Sequence, residues 1–214
     1  MKRSDLLDLL VENILDIKHD RPLLVAIDGR DAAGKTVLAK ELANKLRAVG
    51  ANVIESSIDG FHNPSTIRYR MGRDSPEGFY RDSFNLPAVK ILLLDPLKTG
   101  DLRYKAYAFD HTFDRAVMGP FLHADPNSIL VFDGIFTHRP ELREYWDYSI
   151  YLYIDEKESI RRGEARNPGE EEEARRMYTV RYTAGQRIYN TESEPISHAD
   201  IVIDNNDPEN PEIL

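Results

Sequence analysis

Cysteine is absent from the 214 residues of the chain, and acidic residues outnumber basic ones. The lack of cysteine excludes disulfide bonds, a thiolate nucleophile and a cysteine-ligated zinc site. The net charge of −9 argues against the broad basic face that nucleic acids or anionic membranes require. No apolar run approaches the roughly 20 residues of a membrane span, and the N-terminus does not resemble a signal peptide. We therefore expect a cytoplasmic protein with a small-molecule substrate and no nucleic-acid or membrane partner.

One segment, residues 29–36, fits the G-x-x-x-x-G-K-[ST] pattern of a phosphate-binding P-loop. Its residues are Gly29, Arg30, Asp31, Ala32, Ala33, Gly34, Lys35 and Thr36. An apolar run at residues 23–27 precedes it and a helical pattern at residues 37–46 follows, which is the strand–loop–helix context that the motif needs. The segment therefore predicts ATP binding, with Lys35 at the β- and γ-phosphates and the Thr36 hydroxyl at Mg²⁺.

Two acidic residues follow predicted strands. Asp59 comes directly after the strand predicted at residues 52–58, and Asp133 ends the apolar run at residues 129–133. Ligands of open parallel sheets bind beyond the carboxyl ends of the strands, so both acids are expected near the P-loop. Asp59 is a candidate general base and Mg²⁺ ligand, and Asp133 is a candidate Walker B acid at the metal. An Asp–Gly turn without catalytic function stays open for Asp59.

The other segments complete an α/β pattern with a five-stranded, mostly parallel sheet. We expect a covering helix within residues 1–20, a polar loop at 63–85, a hairpin or flap at 103–117 and a polar tail at 206–214. Arginines at residues 161, 162 and 166 suggest a helical lid at about 160–176, although a solvated charged helix has the same composition. A single domain covering residues 1–214 is expected.

Several segments resemble, in order and spacing, the phosphoribulokinase/uridine kinase family of P-loop kinases. These are residues 27–29, 59–62, 75–80, 132–136 and 199–203. The resemblance implies an ATP- and Mg²⁺-dependent kinase acting on a hydroxyl of a small metabolite, with a uridine- or cytidine-like nucleoside as the first candidate. Pantothenate, a sugar, a sugar phosphate or a nucleoside monophosphate are alternative acceptors, and a catalytically silent ATP-binding regulator is an alternative function.

The resemblance also implies roles for individual residues. Asp59 matches the catalytic base of the family, and Asp133 stands where uridine kinases usually carry glutamate. Arg162 and Arg166 fall where lid arginines are found. The resemblance implies substrate contacts by Tyr107, His111 and Arg115. The segment from Asp59 through the polar stretch adds His62 and Tyr80 as candidate substrate residues. The resemblance leaves association into a homo-oligomer open. A GTPase is not favoured, because the only Asn-Lys pair lies in the helix after the P-loop and is followed by leucine and arginine.

Overall fold

The computed structural model describes all 214 residues. Its strands β1 to β10 are Leu23–Gly29, Val53–Ser57, Arg103–Tyr104, Phe109–Asp110, Arg115–Ala116, Leu122–His123, Ile129–Asp133, Tyr148–Tyr153, Ile201–Asp204 and Glu212–Ile213. Its helices α1 to α10 are Arg3–Leu15, Lys35–Ala48, Ser65–Arg68, Pro76–Asp82, Leu86–Val89, Asp95–Thr99, Glu156–Ala165, Glu171–Met177, Thr183–Ser193 and Pro195–His198. One-turn π-helical segments, Lys90–Leu94 and Tyr178–Tyr182, connect α5 to α6 and α8 to α9. None of the helices is both long and apolar enough to cross a lipid bilayer.

The central sheet confirms the mostly parallel α/β prediction but has six strands instead of five. Their order is β10–β9–β8–β1–β7–β2. The extra strand is β10, which pairs antiparallel with β9 inside the segment predicted as a polar tail. A two-residue edge strand has too few residues to show the alternation by which strands are predicted.

Strand β1 is apolar from residue 23 to residue 27 because helices cover both faces of the sheet. Leu23, Val25 and Ile27 pack into one hydrophobic core with α1 and α2. Leu24 points into a second core, rich in aromatic residues, which includes Phe132 of β7. Burial on both faces explains the continuous apolar run.

Two short antiparallel ladders form the predicted flap, which extends from residue 103 to residue 123 and not only to 117. Strand β4 pairs with β5, and β3 pairs with β6. The flap is joined to the loop after β2 by a 2.8 Å hydrogen bond from the Ala108 N–H to the Gly60 carbonyl. This contact brings the hairpin to the loop that carries Asp59.

Residues 63–85 are not the polar loop that was predicted. They contain α3 and α4, and Ser75 caps α4 by accepting a 3.0 Å hydrogen bond from the Gly78 N–H. Pro76 occupies the first turn of α4, where its missing N–H costs nothing. Phe79 and Tyr80, the apolar side chains of this helix, are buried in the aromatic core.

Candidate active site

The P-loop connects β1 to α2 and turns through backbone conformations that favour glycine. Gly34 has φ of 99° and Gly29 has φ of 146°. A Cβ atom on Gly29 would overlap the backbone of Leu152 on β8. The N–H groups of residues 34–36 donate to no protein atom, and α2 is long enough for its N-terminus to favour anions. The loop therefore presents free N–H donors suited to a polyphosphate.

Side chains from α7 and from Asn205, the residue after β9, fix the outer surface of the P-loop. The Ser159 hydroxyl donates to the Asp31 carbonyl at 2.7 Å, and the Asn205 amide donates to the Ala33 carbonyl at 2.7 Å. Arg162 donates to the carbonyls of Asn205 and Asn206 at 2.8 and 2.9 Å, and to that of Ala32 at 3.4 Å. With its carbonyls held in this way, the loop keeps its N–H groups available on the other side.

A buried polar network lies under the P-loop. Asp28, which is fully buried, accepts a 2.6 Å hydrogen bond from the Gly29 N–H and contacts the His138 ring at 2.8 Å. The Tyr189 hydroxyl also donates to Asp28. Burial raises the pKa of Asp28, but the hydrogen bonds from His138, Tyr189 and Gly29 outweigh it and leave that pKa below its usual value. The network connects the start of the P-loop to α9.

Oxygen ligands suited to Mg²⁺ gather where β7 and β2 end. The Thr36 hydroxyl donates a 2.6 Å hydrogen bond to the Asp133 carboxylate, and Ser57 lies opposite Asp133 in the parallel register. No group of three or more histidine, cysteine or acidic side chains forms a preassembled metal site. Mg²⁺ commonly takes one or two carboxylates together with substrate phosphates, so this small set of oxygens fits it.

Burial raises the pKa of Asp133, and the negative charge of Asp59 adds to the increase. The hydrogen bond from Thr36 and the charge of Lys35 oppose it. Lys35 itself bends back onto the loop, where its ammonium group donates to the Arg30 carbonyl at 2.8 Å. The structure thus brings Lys35, Thr36, Asp59 and Asp133 together, as expected from the sequence.

Asp59 is exposed just beyond β2, and a second acid, the half-buried Asp31 of the P-loop, is close enough for the two charges to interact. Burial raises the pKa of Asp31, and the charge of Asp59 contributes to the increase. The Gln186 amide of α9 lies 3.4 Å from the Asp31 carboxylate. The P-loop motif predicts that Asp31 lies in the phosphate-binding loop. It does not predict the contact of the Asp31 side chain with Gln186, because Gln186 belongs to the distant helix α9.

Two clefts meet at the P-loop. One, of about 360 Å³, is lined by Ala32, Val37, Arg162, Arg166 and Pro208 among others. The other, of about 230 Å³, lies against Lys35 and Thr36 and is also lined by Arg166. The side chain of Arg166 is exposed and makes no hydrogen bond or ion pair, whereas the Arg162 side chain is held by backbone carbonyls and by Glu158. The two expected lid arginines therefore differ in how they are held.

The expected substrate residues divide into two sets. His62, Tyr107 and His111 lie beside the Asp59 loop: the His62 and His111 rings are 4.8 Å apart, and His62 contacts the Asp59 carbonyl at 2.9 Å. The backbone of Tyr107 packs against Gly60.

Tyr80 and Arg115 lie away from the Asp59 loop. Tyr80 is 2% exposed and packs against Phe136 and Tyr189 in the core, so it is not a surface for substrate. Arg115 lies over the exposed ring of Phe113, 5.0 Å from its centre, at the outer end of the flap. Sequence spacing alone could not distinguish the inner from the outer end of this hairpin.

No protein-family model matches this chain. A uridine kinase of Lactobacillus helveticus is 25% identical over 146 residues, covering 65% of this chain and 64% of the relative. The chain therefore spans slightly less than two thirds of that relative. A uridine kinase of Lactobacillus johnsonii is also 25% identical over 197 residues, covering 87% of this chain and 88% of the relative.

Among solved structures, a protein described as a possible uridine kinase from Bacillus stearothermophilus superposes with a TM-score of 0.75. It is 25% identical, and the match covers 93% of this chain and 97% of the other. The chain is therefore similar to uridine kinases and to a P-loop kinase of known structure over most of its length. The D-glycerate 3-kinase of Cryptococcus neoformans shares the fold, with a TM-score of 0.64 at 12% identity over 98% of this chain and 99% of the other.

Proposed function

We propose that this uridine kinase-like chain transfers the γ-phosphoryl group of ATP to a hydroxyl group of a small metabolite. The observation that carries the proposal is the meeting of three features at one edge of the sheet. These are a P-loop with free N–H donors, the Thr36–Asp133 pair, and Asp59 at the end of the neighbouring strand. An ATP-binding regulator would need only the P-loop. The exposed Asp59 favours a kinase instead, because its carboxylate can take the proton of an acceptor hydroxyl.

Nucleotide binding would use the two clefts at the P-loop. The β- and γ-phosphates of ATP fit against the N–H groups of residues 34–36 and Lys35, and the larger cleft beside Arg162 has room for the remainder of the nucleotide. Thr36 and Asp133 would hold Mg²⁺, which neutralises charge on the β- and γ-oxygens when it is bound. On phosphate binding, Lys35 would exchange the Arg30 carbonyl for a phosphate oxygen.

Asp59 would act on the acceptor. Its carboxylate accepts the proton of the acceptor hydroxyl while the acceptor oxygen attacks the γ-phosphorus, and the bond from that phosphorus to the β–γ bridging oxygen breaks to release ADP. Arg166, the unpaired arginine beside the phosphate cleft, would neutralise the charge that develops on the transferred group. Positioning and electrostatics supply most of the rate in such reactions, and this is what the P-loop and its two acids offer.

The names of the relatives make uridine and cytidine the first acceptors to test. Aromatic side chains near Asp59 favour a planar or ring-containing acceptor. These are His62, His111 and the exposed Tyr107. Pantothenate, sugars and sugar phosphates are the alternative acceptors.

The test is a coupled ADP-release assay over a panel of hydroxyl-bearing metabolites, with Asp59→Asn and Asp31→Asn compared. Asp59→Asn should lower kcat by roughly 10²–10⁴, the usual contribution of a general base. ATP binding by this variant, measured by calorimetry, should stay near that of the unaltered protein. Asp31→Asn should lower kcat less.

Full activity in Asp59→Asn would show that Asp59 is not the base, and a larger loss in Asp31→Asn would transfer that role to the P-loop acid. ATP binding without ADP release for any acceptor in the panel would favour the regulator.

A further inference from the structure

Three arginines surround one tyrosine ring on the acceptor side of the site. The guanidinium carbons of Arg68, Arg73 and Arg181 lie 5.4, 4.8 and 5.2 Å from the centre of the Tyr69 ring. They come from three parts of the chain: α3, the turn before α4 and the π-helical segment before α9. We call this group the Tyr69 arginine cluster.

Carboxylates do not balance the charge of this cluster. Arg68 pairs with Asp114 at 2.9 Å, but Arg73 and Arg181 have no carboxylate within 4.0 Å. The nearby acids Asp74 and Asp82 are engaged elsewhere, by Arg176 and Arg70. Arg73 and Arg181 therefore lack an ion-pair partner within the protein.

The hydrogen-bonding groups of the cluster are also incompletely used. Arg181 is 3% exposed, and its only hydrogen bond goes from Nη1 to the Arg73 carbonyl. The Nε atom of Arg68 is buried without a partner. A buried guanidinium without a carboxylate is costly, and such groups are normally paired. Burial lowers the pKa of Arg181, which agrees with an incompletely compensated charge.

The cluster is close to the proposed acceptor site. Arg68 is near enough to His62 to contribute to lowering its pKa, after the larger effect of burial, and His62 contacts the Asp59 carbonyl. Arg68 also pairs with Asp114 of the flap at 2.9 Å, and the ring of His111, in the same flap, lies 4.8 Å from the His62 ring.

We propose that the Tyr69 arginine cluster binds an anionic group, phosphate or carboxylate, on the acceptor molecule whose hydroxyl is presented to Asp59. The inference rests on the proposed kinase function and goes beyond it by naming the acceptor class, a hydroxyl-bearing anion. Arginine suits this role because its planar fork donates two parallel hydrogen bonds to a carboxylate or phosphate. The transfer is otherwise unchanged: the acceptor oxygen gains the γ-phosphoryl group and Asp59 takes the proton.

The experiment compares matched acceptors that differ by the anionic group, on the full chain with ATP and Mg²⁺. The phosphate pairs are uridine with uridine 5′-monophosphate and ribose with ribose 5-phosphate. The carboxylate pairs are glycerol with glycerate and pantothenyl alcohol with pantothenate. Initial rates of ADP release give kcat/KM for each, and calorimetry with ADP and Mg²⁺ present measures acceptor binding without turnover. The anionic member of at least one pair should exceed its neutral partner by about tenfold to a hundredfold, as for a hydrogen-bonded charged group.

Substitutions in the Tyr69 arginine cluster test whether it causes the preference for anionic acceptors. Arg73→Gln changes an exposed side chain and should fold normally, whereas Arg181→Lys keeps a charge at the buried position in case Arg181→Gln does not fold. Each should raise the KM of the anionic acceptor by about tenfold or more, with the KM of ATP within about twofold of its original value. Arg47→Gln, at the end of α2 away from the P-loop, is the matched control and should change neither constant.

The outcomes separate the two proposals. Preference for the neutral member of every pair, or an anion preference that survives Arg73→Gln and Arg181→Lys, overturns the cluster as the anion site and leaves the kinase function intact. Binding of an anionic acceptor that the variants abolish, without ADP release, supports the anion site and contradicts the kinase function. Absence of binding by any anionic acceptor overturns the inference.

Discussion

The Thr36 hydroxyl donates a 2.6 Å hydrogen bond to the Asp133 carboxylate, joining the end of the P-loop to the end of β7. Asp133 is 7% exposed, so its charge is stabilised mainly by this contact and by the nearby Lys35. These interactions do not offset the cost of burial, because the pKa of Asp133 is raised above its ordinary value. A bound cation would offset the remaining cost of burying the Asp133 charge. In the ligand-free protein this cost lowers stability and can be measured.

We expect Asp133→Asn to stabilise the ligand-free protein at neutral pH while abolishing Mg²⁺-dependent turnover. A carboxyl group with a raised folded-state pKa leaves the folded state with more bound protons than the unfolded state. Stability therefore falls as pH rises from the ordinary value of about 3.9 through the raised pKa. Asparagine removes that loss. The variant should gain roughly 2–4 °C in Tm at pH 7, equal to about 1 kcal/mol in a chain of this size.

Thermal denaturation at a series of pH values between about 4 and 7 measures this difference. The gain of the variant over the unaltered protein should grow with pH across the window. Asp101→Asn, at an exposed position without a hydrogen bond, controls for the loss of one negative charge in a chain with net charge −9. An equal gain in Asp101→Asn would assign the effect to net charge and not to Asp133.

Lys35→Ala should abolish turnover. Lys35 is the cation at the P-loop whose ammonium group is held only by the Arg30 carbonyl, so it is free to bind phosphate at small cost. Its removal should lower kcat by about 10³-fold, as expected for a group that stabilises charge in the transition state. Lys45→Ala, further along α2, is the matched control. Steady-state ADP release measures both, and activity in Lys35→Ala within tenfold of the original would contradict the assignment.

Some parts of this site could be predicted from sequence because they depend on local pattern. The P-loop spacing fixes the strand–loop–helix unit, and parallel strands end at one edge of a sheet. This is why Asp59 and Asp133, far apart in the chain, could both be expected near Thr36. The flap was also predicted, because its alternating residues form hairpin ladders.

The rest depends on contacts between distant segments. Arg181 lies in a long helical stretch with no motif, and only its contact with Tyr69 distinguishes it from other helical arginines. Tyr80 was expected at the substrate because it lies in a polar stretch, but the cap formed by Ser75 starts a helix that turns its ring into the core. Asp28 precedes the motif, and its partners His138 and Tyr189 come from other elements.

The two lid arginines should respond differently to substitution. Arg162→Gln removes the hydrogen bonds to the carbonyls of Asn205 and Asn206, so it should lower the free energy of unfolding by about 1–3 kcal/mol. Arg166→Gln removes an exposed side chain with no partner and should change stability by less than about 0.5 kcal/mol, while lowering kcat by about 10²-fold. Urea denaturation and ADP release distinguish the two effects. A large stability loss in Arg166→Gln, or none in Arg162→Gln, would reverse these assignments.

Gly60 controls how closely the flap approaches Asp59. A Cβ atom at Gly60 would lie 2.8 Å from the Cβ of Tyr107 and 3.3 Å from its Cα, so alanine must push the flap away. The 2.8 Å hydrogen bond from the Ala108 N–H to the Gly60 carbonyl would lengthen as it moves. We expect Gly60→Ala to lower kcat/KM for the acceptor by about threefold to thirtyfold, since small misplacements of substrate are costly, and to leave ATP binding within about twofold.

Gly119→Ala is the control for this prediction. Gly119 lies in the same flap, and a Cβ atom added there would have no atom within 4 Å, so this variant should match the unaltered protein. Equal effects of the two substitutions on the acceptor would show that the contact between Gly60 and Tyr107 does not position it.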